Sequence, residues 1–486
     1  MGKNEGRYTS GNPELTTDPM RPHPLFLTFV LLTSTVANGA MAFGPADPFN
    51  VDAITPPRPL LSPMTDSAYA PCKELPAGVI YSVLEVVDLA LCQNPKTRES
   101  WANARAQAAQ VGVAQSDFLP SLDGKIGLSR ANADTQNTNQ NNVSLTLSWL
   151  IYDFGARSAN LENARQLFSA ASSTLDATVQ TVFLSALQSY YNAQAARAAV
   201  SAALESEKAS RESFTAAEVR YKVGTGTPAD RLQAQTAWSQ ATLNRIKAEG
   251  TLKIAYGTLA NVMGLDASQP LTLAEISEAT PDASFEREID ALIAEARDRR
   301  PDLKAAEAQV KAAQSNVDFT RASGRPTLSL GAGPSWVDSG NISTHSSSIG
   351  LTLTVPIFSG FNTTYKVRSA QGRAEAAEAQ RDVVRLQVAL DVWTAYQNLT
   401  TATQTIRTTV DLLVSAEQSE RVALGRYKAG VGNILDVLNA QSALAAARVQ
   451  RIQAMLDWNV SRATLAKAVG TLDSHLLNPA AESKTP

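Results

Sequence analysis

One stretch occurs twice in this chain, and that duplication limits what it can fold into. Residues 220–264 open Arg220-Tyr221-Lys222-Val223-Gly224 and close Leu259-Ala260-Asn261-Val262-Met263-Gly264. Residues 426–470 open Arg426-Tyr427-Lys428-Ala429-Gly430 and close Leu465-Ala466-Lys467-Ala468-Val469-Gly470. The offset, 426 − 220 = 206, holds without a gap and sets Asp230 on Asp436 and Gln235 on Gln441. It recurs upstream: Asn94-Pro95 falls on Arg300-Pro301, and Pro120-Ser121-Leu122 on Pro326-Thr327-Leu328. Leu150-Ile151-Tyr152 falls on Pro356-Ile357-Phe358, and a one-residue slip then sets Gly155 opposite Gly360. A period this long, seen twice, marks a duplicated unit rather than a solenoid.

Within each unit the hydrophobic period changes. Val143, Leu145, Leu147, Trp149 and Ile151 alternate with Ser144, Thr146 and Ser148, the pattern of a strand with one apolar and one polar face. Leu122, Ile126 and Leu128 do so more weakly. In the second unit Leu328 and Leu330 alternate with Ser329 and Gly331, and Ile349 to Ile357 with Gly350, Thr352, Thr354 and Pro356. The polar connections 131–142 and 338–348 read as solvated loops. Each strand is expected to run roughly ten residues, enough to cross a bilayer when tilted. Trp149, Tyr152, Trp336 and Phe358 are the candidate aromatic girdle at the interfaces. A half-buried soluble hairpin is the alternative for any one of these segments.

After each hairpin the period becomes helical. Residues 156–223 contain no proline, and Leu161, Phe168, Leu175 and Val182 recur every seven residues with Ala164 and Ala171 beside them. This is a coiled-coil-like seam of small residues, and at 1.5 Å per residue the helix would reach about 100 Å. Gly224-Thr225-Gly226-Thr227-Pro228 ends it, and a return helix runs to Val262. The second unit repeats this: a helix over about 364–429, a Gly430-Val431-Gly432 turn, and a return helix to Val469. The expected division is 84–264 for the first repeat, 265–285 for a linker, 286–470 for the second repeat and 471–486 for a flexible tail. A break is expected near Asn94, because Pro95 suits only a first turn.

The N-terminus carries an export signal over residues 1–42: Arg21, an apolar run from Leu25 to Val36, then Ala40-Met41-Ala42. The run is too short to span a membrane, which takes about 20 residues. Residues 1–19 fit no signal, so translation is expected to start at Met20. A proline-rich extended arm follows over 43–83. The two cysteines, Cys72 and Cys92, lie close enough to pair in an oxidising compartment. That link is worth about 3 kcal/mol in the chain-entropy model; two free buried thiols are the alternative.

The charge balance, 43 Lys+Arg against 46 Asp+Glu, excludes a nucleic-acid binder. Three histidines (His23, His345, His475) stand far apart, with no nucleophile–base set, metal spacing or phosphate loop, so neither an enzyme nor a cofactor or metal site is expected. The four strands of one chain cannot close a barrel, because bacterial barrels need at least about eight, and an open sheet edge is not tolerated in lipid. The chain must therefore oligomerise. Two copies would give a barrel filled by side chains; three would leave a water-filled bore, which suits the thin polar face of Ser144, Thr146, Gly350 and Thr352. The fold expected is a membrane α+β protein, a strand barrel continuous with a long helical barrel. A structural coiled-coil or adhesin protein of the envelope would explain the helices but leave the strands without a role.

The duplicated hairpin-plus-coil pattern, the Arg-Tyr-Lys-x-Gly-x-Gly-(x)3-Asp turns, the Ala90-Leu91-Cys92-Gln93-Asn94-Pro95 opening and the Pro356-Ile357-Phe358-Ser359-Gly360 strand ending together resemble the TolC family of outer-membrane efflux and secretion channels. The resemblance covers about residues 80–470. It implies a homotrimer with a twelve-stranded barrel in the outer membrane and a helical tunnel through the periplasm. The implied partners are a periplasmic adaptor (membrane fusion) protein and an inner-membrane pump of the RND or ABC type, with drugs, metals or secreted proteins as cargo. It also implies a gate at the turns. Tyr427 matches the family's latch tyrosine and Asp230 its aspartate partner. Asp436 matches the first aspartate of the constriction, and the second lands on Asn439, which is uncharged. The family's arginine lands on Gly432, so one ionic latch is expected to be missing and the gate to open more readily. Asp230 has a second reading as an ordinary helix N-cap. Arg220, Tyr221, Gly224, Gly226, Arg426, Gly430 and Gly432 form the tip turns, where the basic residues either meet the adaptor or complement the helix dipole.

Overall fold

The two repeats start and stop their helices at matching residues, and the computed structural model shows how. It describes residues 47–57, 80–133, 136–274, 288–340 and 342–472. The expected export signal, residues 58–79 of the arm with Cys72, and positions 473–486 lie outside these. Cys92 is disulfide-bonded. Part of the expected extended arm is instead one helical turn, Val51–Ile54, followed by Pro56, whose carbonyl accepts the Trp101 indole N–H at 2.9 Å.

In the first unit, α1 (Val83–Gln93) is opened by a reciprocal Ser82–Glu85 capping box. Asn94 closes it and caps α2 (Pro95–Ser116), with Pro95 in the first turn, where its missing N–H costs nothing. Asn94 Nδ2 also donates to the Val262 carbonyl at 2.9 Å, tying this elbow to the end of the return helix. In the second unit, α5 (Ile289–Arg299) and α6 (Pro301–Ala322) meet at Arg300 instead. Its guanidinium bonds Asp302 and, at 2.8 Å, Asp391. Burial disfavours the Asp302 carboxylate, but the Arg300 hydrogen bonds and charge outweigh it and hold its pKa below the ordinary value.

The long helices are α3 (Ala156–Lys222) and α7 (Asn362–Lys428), each of 67 residues and starting 362 − 156 = 206 apart. At 1.5 Å per residue each is about 100 Å long. The return helices are α4 (Pro228–Val262) and α8 (Ile434–Val469). Two apolar clusters lie at the level of the elbows. One joins Val86, Val87, Leu187, Tyr190, Leu259 and Met263; the other joins Leu303, Val388, Val392, Trp458 and Leu465. In the seven-residue seam Leu175 and Val182 are buried, while Leu161 and Phe168 pack part-buried against Val111 and Ala164. Ahead of the first repeat, β1 (Ile80–Tyr81) pairs in parallel with β4 (Thr272–Leu273), which lies within the expected linker.

Four strands form one antiparallel sheet in the order β2 (Ser121–Ala133), β3 (Gln136–Tyr152), β5 (Thr327–Asp338), β6 (Ser343–Thr354). They are longer than ten residues, at 13, 17, 12 and 12. The two connections expected to be solvated loops are mostly strand, because hairpin pairing continues wherever backbone faces backbone, whatever the side chains. The sixth strand stops at Thr354, short of the expected Ile357; Pro356, two residues on, has no N–H to donate. Phe358 therefore lies off the sheet, just past the strand end, edge-on to Phe361. His345, expected in an external loop, pairs with Trp336.

The register sorts the side chains. Leu122, Leu147, Ala332 and Ile349 form one cross-strand row, and Trp149, Leu330 and Leu351 another. The opposite face carries Ser144, Ser335 and Ser346, then Ser148, Gly331 and Gly350. The apolar face is bare: Ile349 is 79% exposed and Leu351 65%. The outer edges of β2 and β6 pair with no described strand. No helix among the described residues is long and apolar enough to cross a membrane.

The β3–β5 ladder joins the two repeats, and it is interrupted beside Pro334, which has no N–H to give. Next to it, a Cβ on Gly333 would overlap the Leu145 carbonyl oxygen, whereas one on Gly331 would meet nothing within 4 Å. Gly333→Ala is therefore expected to lower unfolding stability by about 1–3 kcal/mol through overpacking. Gly331→Ala, on the same strand, should change it by much less. Thermal unfolding of the detergent-solubilised variants measures both.

Candidate functional site at the helix turns

The turn at each tip follows from its glycines. After α3, Gly224 adopts φ +78°, and the N–H groups of Thr225 and Gly226 both reach the Arg220 carbonyl at 2.9 Å. After α7, Gly430 adopts φ +80°, and the Val431 N–H reaches the Arg426 carbonyl at 3.1 Å. Left-handed backbone is open to glycine without strain. The return helices then begin on side-chain caps. Thr227 and Asp230 cap α4 reciprocally: Asp230 N–H donates to the Thr227 hydroxyl at 3.1 Å, and Thr227 N–H to the Asp230 carboxylate at 3.2 Å. Asn433 caps α8, accepting the Leu435 N–H at 3.0 Å.

Tyr427 lies in a small apolar core with Ala217, Ala234, Ile434 and Val437. It does not hydrogen-bond Asp230 within the chain. The Asp230 carboxylate is committed to its own helix cap, and the partner of Tyr427 is Arg220. The Arg220 guanidinium lies 4.7 Å from the centre of the ring and donates to the Tyr427 carbonyl at 3.0 Å. Arg220, which the sequence reads as either meeting the adaptor or complementing the helix dipole, joins the two turns within the chain. Gly432, where the family arginine was expected, has no room for a side chain: a Cβ there would lie 2.8 Å from the Tyr427 amide nitrogen.

Asp436 and Asn439 are both exposed and share an open groove between α7 and α8 of about 600 Å³, lined also by Ser419, Ala423, Arg426 and Ala440. A second groove of about 800 Å³ holds Lys208, Arg211, Arg220 and Lys428 against a single acid, Glu212. Tyr221 is exposed, with Arg231 5.4 Å from its ring centre. Sequence reading missed one buried polar pair, Ser213 with Gln441, joined at 3.0 Å between α3 and α8. Its only signal was that Gln441 repeats Gln235. Among the described residues no cluster of His, Cys, Asp and Glu could hold a metal ion. Of the girdle residues, Trp149 donates its indole N–H to the Phe118 carbonyl at 3.0 Å, and Tyr152 lies edge-on to Phe154.

The model of the family described as outer membrane efflux protein matches twice, over residues 86–265 and 292–471, and 292 − 86 reproduces the offset of 206. Protein CyaE of Bordetella pertussis is 33% identical over 400 residues, 80% of this chain and 84% of CyaE. Outer membrane protein TolC of Escherichia coli is 23% identical, over 81% of this chain and 83% of TolC. The Campylobacter jejuni CmeC outer membrane channel superposes with a TM-score of 0.71 at 20% identity, over 83% of this chain and 89% of CmeC. The open state of the Neisseria gonorrhoeae MtrE channel gives 0.69 at 21% identity, over 80% and 89%.

Removing the clamp should loosen the second turn. Arg220→Ala is expected to cost about 1–2 kcal/mol, the combined scale of a charge-assisted hydrogen bond and a cation–π contact. Arg220→Lys should recover little, because an ammonium lacks the planar fork. The measurement is the rate of limited proteolysis within residues 429–433, which should rise in both variants.

Proposed function

The chain belongs to the outer membrane efflux protein family, and from that premise we propose that it is the outer-membrane exit duct of a tripartite efflux or type I secretion system. It lies in the outer membrane and extends into the periplasm, passively conducting what an inner-membrane pump and a periplasmic adaptor deliver. It performs no catalysis.

One observation carries this reading: a four-stranded sheet whose register puts its large apolar side chains, Leu150 and Val337 excepted, on one face and mostly hydroxyls and glycines on the other. The first face suits lipid and the second a wet bore. Three copies of four strands supply a twelve-stranded barrel, which closes the open edges of β2 and β6. The long helices then form the tunnel, and the turns form its entrance. Asp436 on the narrow end would attract cations and repel its symmetry mates. The cationic groove of Lys208, Arg211 and Lys428 is the proposed meeting point with the adaptor.

In planar bilayers the purified protein is expected to give stepwise conductance, and Asp436→Asn to shift the reversal potential in a salt gradient toward anions. A chain that inserts and conducts nothing contradicts the duct. The lipid face has its own test. Leu351→Arg should destabilise the inserted barrel by about 2–4 kcal/mol, the scale for a cation at the bilayer midplane. Its neighbour Thr352→Arg, on the other face, should cost far less in the same urea titration of folding into vesicles.

A further inference from the structure

Among the described residues, the polar face of the sheet carries two charges. Read across the four strands, one row of this face is Ser121, Ser148, Gly331 and Gly350, and another is Lys125, Ser144, Ser335 and Ser346. Between them lies Asp123 opposite Thr146, with Gly333 opposite Ser348 beyond the interrupted ladder. The row above is Gly127, Asn142, Val337 and Thr344. Asp123 and Lys125 are thus an acid and a base two residues apart on one face of β2, about 7 Å by strand rise. Both are exposed.

The duplication isolates them. Adding 206 turns Asp123 into Ser329 and Lys125 into Gly331, so the second repeat leaves both positions neutral. Charge on an edge strand can serve only to discourage stray pairing, and β2 is an edge of the sheet within one chain. The other edge, β6, contains no Asp, Glu, Lys or Arg. Edge protection by charge is therefore not a device that this sheet applies to both of its sides, and the two charges call for another role.

We propose that Asp123 and Lys125 form two stacked rings of opposite charge inside the barrel and that these rings set the ion selectivity of the bore. The proposal rests on the three-copy duct proposed above and adds to it residues that discriminate among solutes. Lys125 lies four residues beyond the start of β2, which places its ring about 10 Å into the barrel from the helical end for strands tilted about 40°. Asp123 lies nearer the helices. Twelve strands about 4.8 Å apart at that tilt make a wall about 12 Å from the axis. Side chains narrow this further, while the screening length in 0.1 M salt is about 10 Å. The field of each ring therefore reaches the middle of the bore. A cation leaving the tunnel is drawn to the Asp123 ring and then repelled by the Lys125 ring; an anion meets the reverse. The Lys125 row favours anions doubly, because Ser144, Ser335 and Ser346 set hydroxyl donors around the wall at the same level. It opposes the cation preference that Asp436 gives the far end of the duct.

The test is the reversal potential of the purified full-length protein in planar bilayers under a KCl gradient. Lys125→Gln is expected to shift it toward cation preference, Asp123→Asn toward anion preference, and the double variant to fall between. The shifts should shrink in about 1 M salt, where the screening length is about 3 Å. Lys125→Cys should behave as Lys125→Gln, and a cationic thiol reagent should bring the wild-type value back. No native cysteine among the described residues is free to compete for that reagent. Normal conductance with a reversal potential that neither the variants nor the reagent move overturns the rings and leaves the duct standing; the two charges then merely guard an edge. A wild-type protein that conducts nothing overturns the duct and the rings with it.

Discussion

A sheet edge cannot be left open in hydrocarbon. Each unpaired N–H or C=O there costs several kcal/mol, since lipid offers no partner. The outer edges of β2 and β6 are such edges, and the sheet they border is apolar on one face for its whole width. Closure with other copies, as proposed above, would satisfy the backbone, and the rest of the proposed architecture would follow. The helices continue the strands, so a closed ring of strands would impose a closed ring of helices and bring the turns at the far end together.

Duplication makes closure economical, because one packing solution serves twice. The elbows, long helices and return helices recur at one offset. The repeats have nonetheless diverged where a strand meets a helix and where two helices meet end to end. Buried Asp153 holds Arg157 at 3.1 Å at the first strand–helix junction, where the second unit has Ser359 and Thr363. Neutral Asn94 ties the first elbow to α4, whereas Arg300 ties the second to α7 through Asp391. Near that second cluster, burial and then the charge of Arg300 push the Lys467 pKa down. Each repeat solves the same joint with different chemistry, which makes an approximate symmetry rather than a strict one.

The gate residues show the same division between type and partner. Tyr427 matches the family's latch tyrosine by resemblance, and within the chain the group that holds it is Arg220. A capping box satisfies Asp230 locally, three residues from its partner. Gly432 could be read only as a departure from the family pattern. The close approach of the Tyr427 amide turns that departure into a steric requirement.

The sequence by itself determined the duplication, the helix ends at Asn94, Arg300, Gly224 and Gly430, and which face of each strand is apolar. These depend on neighbours within a turn or on a period of two or three to four residues, so a linear reading reaches them. Strand length in the hairpin ends, the loss of Phe358 from the sheet, the order β2-β3-β5-β6 and the Arg220–Tyr427 clamp were decided only by tertiary structure. Each joins groups remote in the chain, or depends on backbone pairing that side-chain polarity does not report. Arg220 and Tyr427 lie 207 residues apart, and what brings them together is the packing of four helices, which no local pattern encodes.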